Sequence, residues 1–329
     1  MYIKAVIILS APICCVNQSK KGDNIMRLAT TIADFRGYCE NNAQAVRAYE
    51  GTGFTHLDYS FYVENYEGSP FMSDDWVKEI SAAAKEAEKL GFDFVQAHSP
   101  RNDYFCDDRE TVIKGNIRSI EACAYLGIKN LVVHSGRSAK FQNPDDMEKY
   151  MDGVQEFYEA LYPAMEKYNV RVLAENYTPS SRNECAFYSG EQLAEFIDRC
   201  NHPLLGVCWD IGHGNLINPE QYGDLATLGE RLCAVHIQDN LGKNDNHLCP
   251  FMGTTDIDAV MRGLRDSGFI ERNGVFTFEC DNIIMRAKHR HESGEIIANE
   301  PSFAVKRAAI TLMYEIGKDI LIKYGCFDG

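Results

Sequence analysis

Apolar runs and amphipathic runs alternate along this chain at a steady spacing. Runs rich in Val, Ile, Phe and Leu fall near residues 27–33, 54–59, 92–98, 130–135, 170–176, 204–210, 232–238 and 274–280. Each has the length of a strand. Between them the period changes to three to four. DDWVKEISAAAKEAEKLG (74–91) reads as a helix with Ser73 as its cap and Gly91 at its end. RETVIKGNIRSIEACAYLG (109–127) places Ile113, Ile117, Ile120 and Ala124 on one core-facing stripe. PDDMEKYMDGVQEFYEALYPAMEKY (144–168) opens on Pro and acids, as helix starts do. Further helices are expected at 190–200, 218–231, 255–268 and 301–323.

Eight strands alternating with helices predict a parallel sheet, and eight units favour closure into a (β/α)8 TIM barrel, an α/β fold of one domain over residues 26–329. A doubly wound open sheet is the alternative, but no G-x-G-x-x-G supports it; Gly51-Thr52-Gly53-Phe54 reads as a helix exit into a strand. The 281–300 stretch is longer than a typical βα loop, a candidate lid or interface arm.

Charge and cysteine placement narrow the partners. A formal net charge of −15, with Lys20-Lys21 the one adjacent basic pair near the N-terminus, argues against nucleic acid. The chain carries 12 cysteines but no C-x-x-C; Cys123 falls in a helical pattern and Cys208, Cys233 and Cys280 in strands. Buried free thiols in a reducing, cytoplasmic setting are the simpler reading. Residues 1–25 hold Lys4 and the apolar AVIILSAPICCV, which resembles a short signal peptide without a small-x-small cleavage site and is too short to span a bilayer. They are read as an extension outside the barrel, with export as the alternative and no membrane partner.

The polar residues that close the apolar runs carry the chemistry. FDFVQAH ends at His98, NLVVH at His134, VRVLAE at Glu175, LLGVCWDIGH at Asp210 and His213, CAVH at His236 and GVFTFE at Glu279; KNDNH adds Asp245 and His247. In a barrel these positions gather at the C-terminal face, where active sites are built. Imidazole and carboxylate are zinc and manganese ligand types, so a metal site is the first hypothesis. Blander readings stand beside it. Glu175 could cap a helix or pair with an Arg. Asp210 and His213 could be a turn Asp and a surface His, since Gly212 and Gly214 favour a turn. His98 and His134 could be structural. Tyr62, Tyr66 and Phe71 wall a sugar pocket or simply pack a loop. Arg137 is a candidate phosphate or carboxylate binder or a plain surface residue.

Taken in order, LAENY (173–177), WDIGH (209–213), VHIQDN (235–240) and FTFEC (276–280) resemble the xylose-isomerase-like TIM barrels, over about residues 26–325. That superfamily includes sugar and sugar-phosphate isomerases and epimerases, some dehydratases and the endonuclease IV group. The resemblance implies one divalent ion (Mn²⁺, Zn²⁺, Mg²⁺ or Co²⁺) on Glu175, Asp210, His236 and Glu279. Glu175 and Glu279 would exchange a proton with a small sugar or polyol through an enediolate. It leaves His98, His134, His213, Asp245 and His247 as pocket residues or as further ligands of a multinuclear zinc hydrolase. A dehydratase on the same site and a non-catalytic sugar-binding barrel are the other readings, and a homo-oligomer is possible. One departure is the loop from His247 to Asp256, which keeps a single glycine, Gly253, where isomerase-like members often have Pro-Gly-x-Gly.

Overall fold

The structure, a computed structural model, describes residues 25–62, 64, 69–101, 103–105, 107–136, 144–178, 187–280, 283–284, 287–290, 296–299 and 301–327. Eight parallel strands close into a barrel: β1 (Arg27–Thr31), β2 (His56–Ser60), β3 (Asp93–His98), β4 (Asn130–Val132), β5 (Arg171–Glu175), β6 (Leu205–Asp210), β7 (Leu232–Ile237) and β8 (Val275–Phe278). The seam between β8 and β1 is paired in register, Leu28 against Phe276 and Thr30 against Phe278. Closure removes both sheet edges. The (β/α)8 barrel expected from the alternation is the fold observed.

Ten helices are described. They are α1 (Asn42–Arg47), α2 (Trp76–Leu90), α3 (Arg109–Leu126), α4 (Pro144–Glu159), α5 (Tyr162–Tyr168), α6 (Gly190–Cys200), α7 (Ile211–Ile217), α8 (Tyr222–Leu228), α9 (Ile257–Asp266) and α10 (Phe303–Lys323). The main core lies between the outer faces of the strands and this helical ring. Trp209, Tyr158, Phe157, Phe196 and Phe276 are fully buried there. A second, smaller cluster of Val132, Leu173, Cys208 and Ala234 plugs the barrel interior below its C-terminal mouth. No disulfide joins the eight described cysteines to one another, and no described helix is long and apolar enough to cross a membrane.

Several expectations need correction. Ser73 does not cap α2: its hydroxyl accepts from the Asp75 amide and donates to the Pro70 carbonyl, and the helix opens at Trp76. The buried face of α3 is turned by one position, to Val112, Asn116, Ser119, Ile120 and Cys123, with Ile113, Ile117 and Ala124 only flanking the core. The 144–168 helix is two helices. Pro163 has no N–H to continue the ladder and its ring crowds the preceding turn, so the chain restarts at Tyr162. The helix expected over 218–231 is α8 alone, preceded by the unforeseen α7. Within 281–300, two short antiparallel strands, β9 (Ala287–Arg290) and β10 (Ile296–Asn299), pair Ala287 with Asn299 and Arg290 with Ile296. All but Ile25 of the 1–25 extension lies outside the described residues.

Candidate active site

Two strand irregularities aim the histidines. Between β2 and β3 the register steps from Leu57 opposite Phe94 to Asp58 opposite Gln96, which leaves Val95 as an extra residue. Between β6 and β7 it steps from Val207 opposite Leu232 to Cys208 opposite Ala234, with Cys233 extra. Side chains alternate along a strand. Without the extra residue, the phase begun at Phe94 would turn His98 outward, and that begun at Leu232 would do the same to His236. Each bulge resets the phase, so both imidazoles enter the barrel.

Glu175, the last residue of β5 and 2 % exposed, is the hub. Its Oε2 lies 2.6 Å from His134 Nε2 and 3.6 Å from His98 Nε2, and its Oε1 lies 2.8 Å from His236 Nδ1. Glu279, just past β8, brings Oε2 to 3.2 Å from the same His236 nitrogen. Donor atoms of Glu175, Asp210, His236 and Glu279 all lie within 4.8 Å of one another. His98 stacks on His236, 5.7 Å between centroids, and meets His134 edge-on at 4.8 Å.

Asp210 ends β6 and caps α7, its Oδ1 accepting the His213 amide at 2.8 Å. The sequence D-I-G-H therefore starts a helix. Gly212 and Gly214 mark close packing within it and not a turn: a Cβ at Gly212 would sit 2.1 Å from the Gln238 side chain, and one at Gly214 2.2 Å from Gln221. His213 Nδ1 donates to the Asn176 carbonyl at 2.8 Å and His247 Nδ1 to the Glu279 carbonyl at 2.9 Å. Both then direct Nε2 at Asp245 Oδ2, at 3.2 and 3.1 Å. His98 Nδ1 is likewise tied to the Ser99 carbonyl at 2.9 Å. A backbone carbonyl makes one ring nitrogen the N–H donor; the other then donates to a carboxylate when the ring is protonated or serves as a ligand when it is neutral. His213, Asp245 and His247 form a second donor group, and His98, His134 and Glu175 a third.

These groups line a cavity of about 650 Å³ open at the barrel mouth, along with Thr31, Arg36, Asp58, Ser60, Arg101 and Tyr177. Tyr62 lines it too, edge-on to His98 at 5.4 Å. Phe71 does not: it is buried against Phe61, so its role is packing. Arg137 and Tyr66 lie outside the described residues. The sequence reading missed Asn176 and Gln238. Asn176 bonds reciprocally with the Asp210 backbone at 2.7 and 2.9 Å, joining the ends of β5 and β6. Gln238 Nε2 reaches Asp245 Oδ1 at 2.6 Å and Asp210 Oδ2 at 3.5 Å. Both stand inside the quoted motifs, directly after a candidate ligand or one residue beyond it, and that adjacency was the available signal.

The electrostatics separate the carboxylates. Burial pushes Glu279 up to about 7, against the pull of His236 and His247. Burial also opposes charge on Glu175, but His236 and His134 outweigh it and hold the group well below the ordinary range. Burial raises Asp210 despite His213. His213 is lifted to about 10: burial works against its charge, and Asp210 and Asp245 overcome it. Two carboxyls pushed in opposite directions a few ångströms apart are what acid–base chemistry requires.

A closed barrel with buried His and carboxylate side chains at the C-terminal ends of β3 to β8 defines the class: a (β/α)8 barrel with a candidate metal site at its mouth. Comparison with known proteins makes that specific: residues 46–299 match the xylose isomerase-like TIM barrel model, and the chain belongs to that family. An uncharacterised protein of Sinorhizobium fredii is 29 % identical over 158 residues, 46 % of this chain and 47 % of its own. One of Methanocaldococcus jannaschii is 27 % identical over 167 residues, 50 % and 55 %. The chain thus spans about half the length of the curated relatives it matches. Among solved structures, 3-keto-D-glucoside 4-epimerase from E. coli superposes with a TM-score of 0.63 at 17 % identity, covering 88 % of this chain and 99 % of that one. D-psicose 3-epimerase from Clostridium cellulolyticum H10, solved with D-tagatose, gives 0.67 at 14 %, covering 90 % and 99 %. The IolI protein, solved with a zinc atom, gives 0.66 at 17 %, covering 91 % and 99 %. At these identities the likeness is one of fold.

Proposed function

We propose that the protein is a divalent-metal-dependent isomerase or epimerase of a sugar or sugar phosphate, working by proton transfer through an enediolate. The carrying observation is the convergence of donor atoms of Glu175, Asp210, His236 and Glu279 within 4.8 Å of one another, the first, third and fourth lining the cavity and Asp210 buried beside them. Donors on one ion at ~2.0–2.3 Å stand at most about 4.6 Å apart. A set within 4.8 Å therefore fits Mn²⁺, Zn²⁺, Mg²⁺ or Co²⁺ with small side-chain adjustments. When bound, such an ion would polarise the substrate carbonyl and offset charge developing on its oxygen.

The chain's own groups supply the rest. Without a cation, burial raises Glu279, while on Glu175 burial is outweighed by His236 and His134, which hold it down, so the two carboxyls differ in proton affinity. One takes the proton from the carbon beside the carbonyl and the other returns one, so no net proton is consumed. His134 and His98 hold Glu175 in place, and Tyr62 and Tyr177 offer ring faces to a sugar, the Tyr177 hydroxyl being engaged with Gly136. The solved likenesses named as sugar epimerases support this substrate class.

The test is deuterium uptake from D₂O at the carbon beside the carbonyl, for a panel of ketoses and ketose phosphates with Mn²⁺-loaded protein. Uptake that disappears on chelation is expected; no uptake with any member would overturn the reading. A second reading, a multinuclear zinc hydrolase similar to endonuclease IV, is favoured by the three adjoining donor groups. Two or three metals per chain with cleavage of an abasic duplex would select it. The net charge of −15 speaks against that duplex as substrate. Elimination of water without isomerisation would select a dehydratase.

A further inference from the structure

The cavity has a second polar wall that the proposed chemistry does not use. It lies on β1 and β2, next to β8 around the barrel, and carries Thr31, Asp58 and Ser60. Arg36 reaches it, with Nη2 3.5 Å from Ser60 Oγ. Asp58 is the unusual member. It is 2 % exposed, lines the cavity, and its Oδ2 has no hydrogen-bond partner. Gln96, its register neighbour on β3, is equally buried, and its Nε2 also has none. Thr277 Oγ1 donates to Gln96 Oε1 at 3.4 Å, which sets the amide so that the donor end is the free one.

Buried polar atoms are normally paired, and an unpaired one is costly. Here one acceptor and one donor face each other on adjacent inward positions, near enough for Asp58 to feel Gln96 and Thr31 but without a well-formed hydrogen bond between them. A single hydroxyl both donates and accepts, so it is the complement of that pair. The bulge at Val95 is what sets Asp58 beside Gln96, and the same bulge aims His98, so one backbone feature builds both walls.

We propose that Asp58 is a specificity-determining residue that accepts a hydrogen bond from a substrate hydroxyl remote from the reacting carbonyl. This rests on the reading of the site as a sugar isomerase or epimerase. Recognition by a buried carboxyl acceptor makes the substrate class a polyhydroxylated chain with a free hydroxyl at that end.

The experiment uses the full chain loaded with Mn²⁺, as wild type, Asp58→Asn and Asp58→Ala. The probes are D-fructose, D-tagatose and D-psicose with their 1-deoxy and 6-deoxy analogues. Deuterium uptake reports the chemistry, calorimetry the affinities, and manganese content and thermal unfolding the integrity of the fold. Wild type should bind one parent ketose roughly fivefold to tenfold more tightly than one of its deoxy analogues, the upper range for an ordinary hydrogen bond. Asp58→Ala should bring the two within about twofold while still exchanging deuterium on the deoxy analogue. Variants that keep the wild-type discrimination overturn the inference and leave the isomerase reading standing. Wild type that neither binds nor exchanges any of these free ketoses overturns the inference, while the isomerase reading then stands or falls on the ketose phosphates. Loss of manganese or of cooperative unfolding in both variants makes Asp58 structural, which also overturns the inference.

Discussion

Asp210 performs two functions with one side chain, and substitutions can separate them. Its Oδ1 caps α7 through the His213 amide, while its other oxygen faces the candidate metal ligands. Asp210→Asn keeps a capping oxygen but removes an anionic donor; Asp210→Ala removes both. In the chelated protein Asp210 is a buried acid whose folded pKa is raised. Such a group stabilises below its unfolded value, and that contribution is lost as pH rises through the folded one. At neutral pH without a cation it is a liability, so the amide variant should be as stable as wild type or more so.

The magnitudes follow from size. An unfolding entropy of ~2.1 cal/mol/K per residue over roughly 300 folded residues gives about 0.6 kcal/mol per degree. Metal at a hundred times its Kd adds about 2.7 kcal/mol, a rise in Tm of about 4 °C. Loss of the cap costs ~0.5–2 kcal/mol, a fall of about 1–3 °C. Thermal unfolding with Mn²⁺ and with chelator should therefore show a metal-dependent rise in wild type, none in either variant, and a lower baseline only in Asp210→Ala. If Asp210→Asn gains as much from Mn²⁺ as wild type does, Asp210 is not a ligand and the four-residue site is wrongly drawn.

Glu279→Gln should keep the fold and most of the metal while deuterium uptake falls ~10²–10⁴-fold; near-full uptake would place the base elsewhere. Gln221→Ala should cost roughly 2–4 kcal/mol in urea unfolding, because Gln221 accepts the Trp209 indole N–H at 2.8 Å and donates to the Ile211 carbonyl at 2.7 Å in a buried setting. Arg47 grips Glu86 with two bonds, at 2.8 and 2.9 Å, and holds that carboxyl down at about 2. A depressed acid contributes stability above its unfolded value and loses it as pH falls through the folded one. The Tm difference between wild type and Arg47→Met should accordingly be present at pH 7 and close by pH 2; a difference constant with pH would mean packing alone. Gly212→Ala should displace Gln238 and with it Asp245, weakening Mn²⁺ binding as read by titration; unchanged affinity would show that Gln238 positions nothing.

The barrel was legible because eight apolar runs at barrel spacing leave few alternatives, and the ligand candidates because each closes one of those runs. What escaped the sequence escaped for local reasons. Strict alternation is broken at Val95 and Cys233, so no period-two count could say that His98 and His236 point inward. Gly212 and Gly214 look like turn formers, and only the approach of Gln238 and Gln221 shows that they are helical residues kept small. Asp58 sits in HLDYS, which reads as an ordinary strand; nothing in the run marks its carboxylate as unpaired.

These departures from regular structure differ in what they serve. Val132, Leu173, Cys208 and Ala234 fill the lower barrel with small, well-packed apolar side chains. The bulge at Val95 and the left-handed backbone of His247 (φ 49°) belong to the cavity and the loop over it, while the Cys233 bulge packs against the plug and further unpaired atoms, on Tyr162 and Tyr324, lie in the helical ring. Within the site, departures from regular geometry place polar groups. His247 illustrates the point. A β-region backbone is the lower-energy choice for a non-glycine residue, yet the left-handed one accompanies an Nδ1 bond to the Glu279 carbonyl and an Nε2 directed at Asp245. Through that one residue the β7 loop, the end of β8 and the second donor group are held together. Strain at His247 is thus a property of the site and not of the barrel.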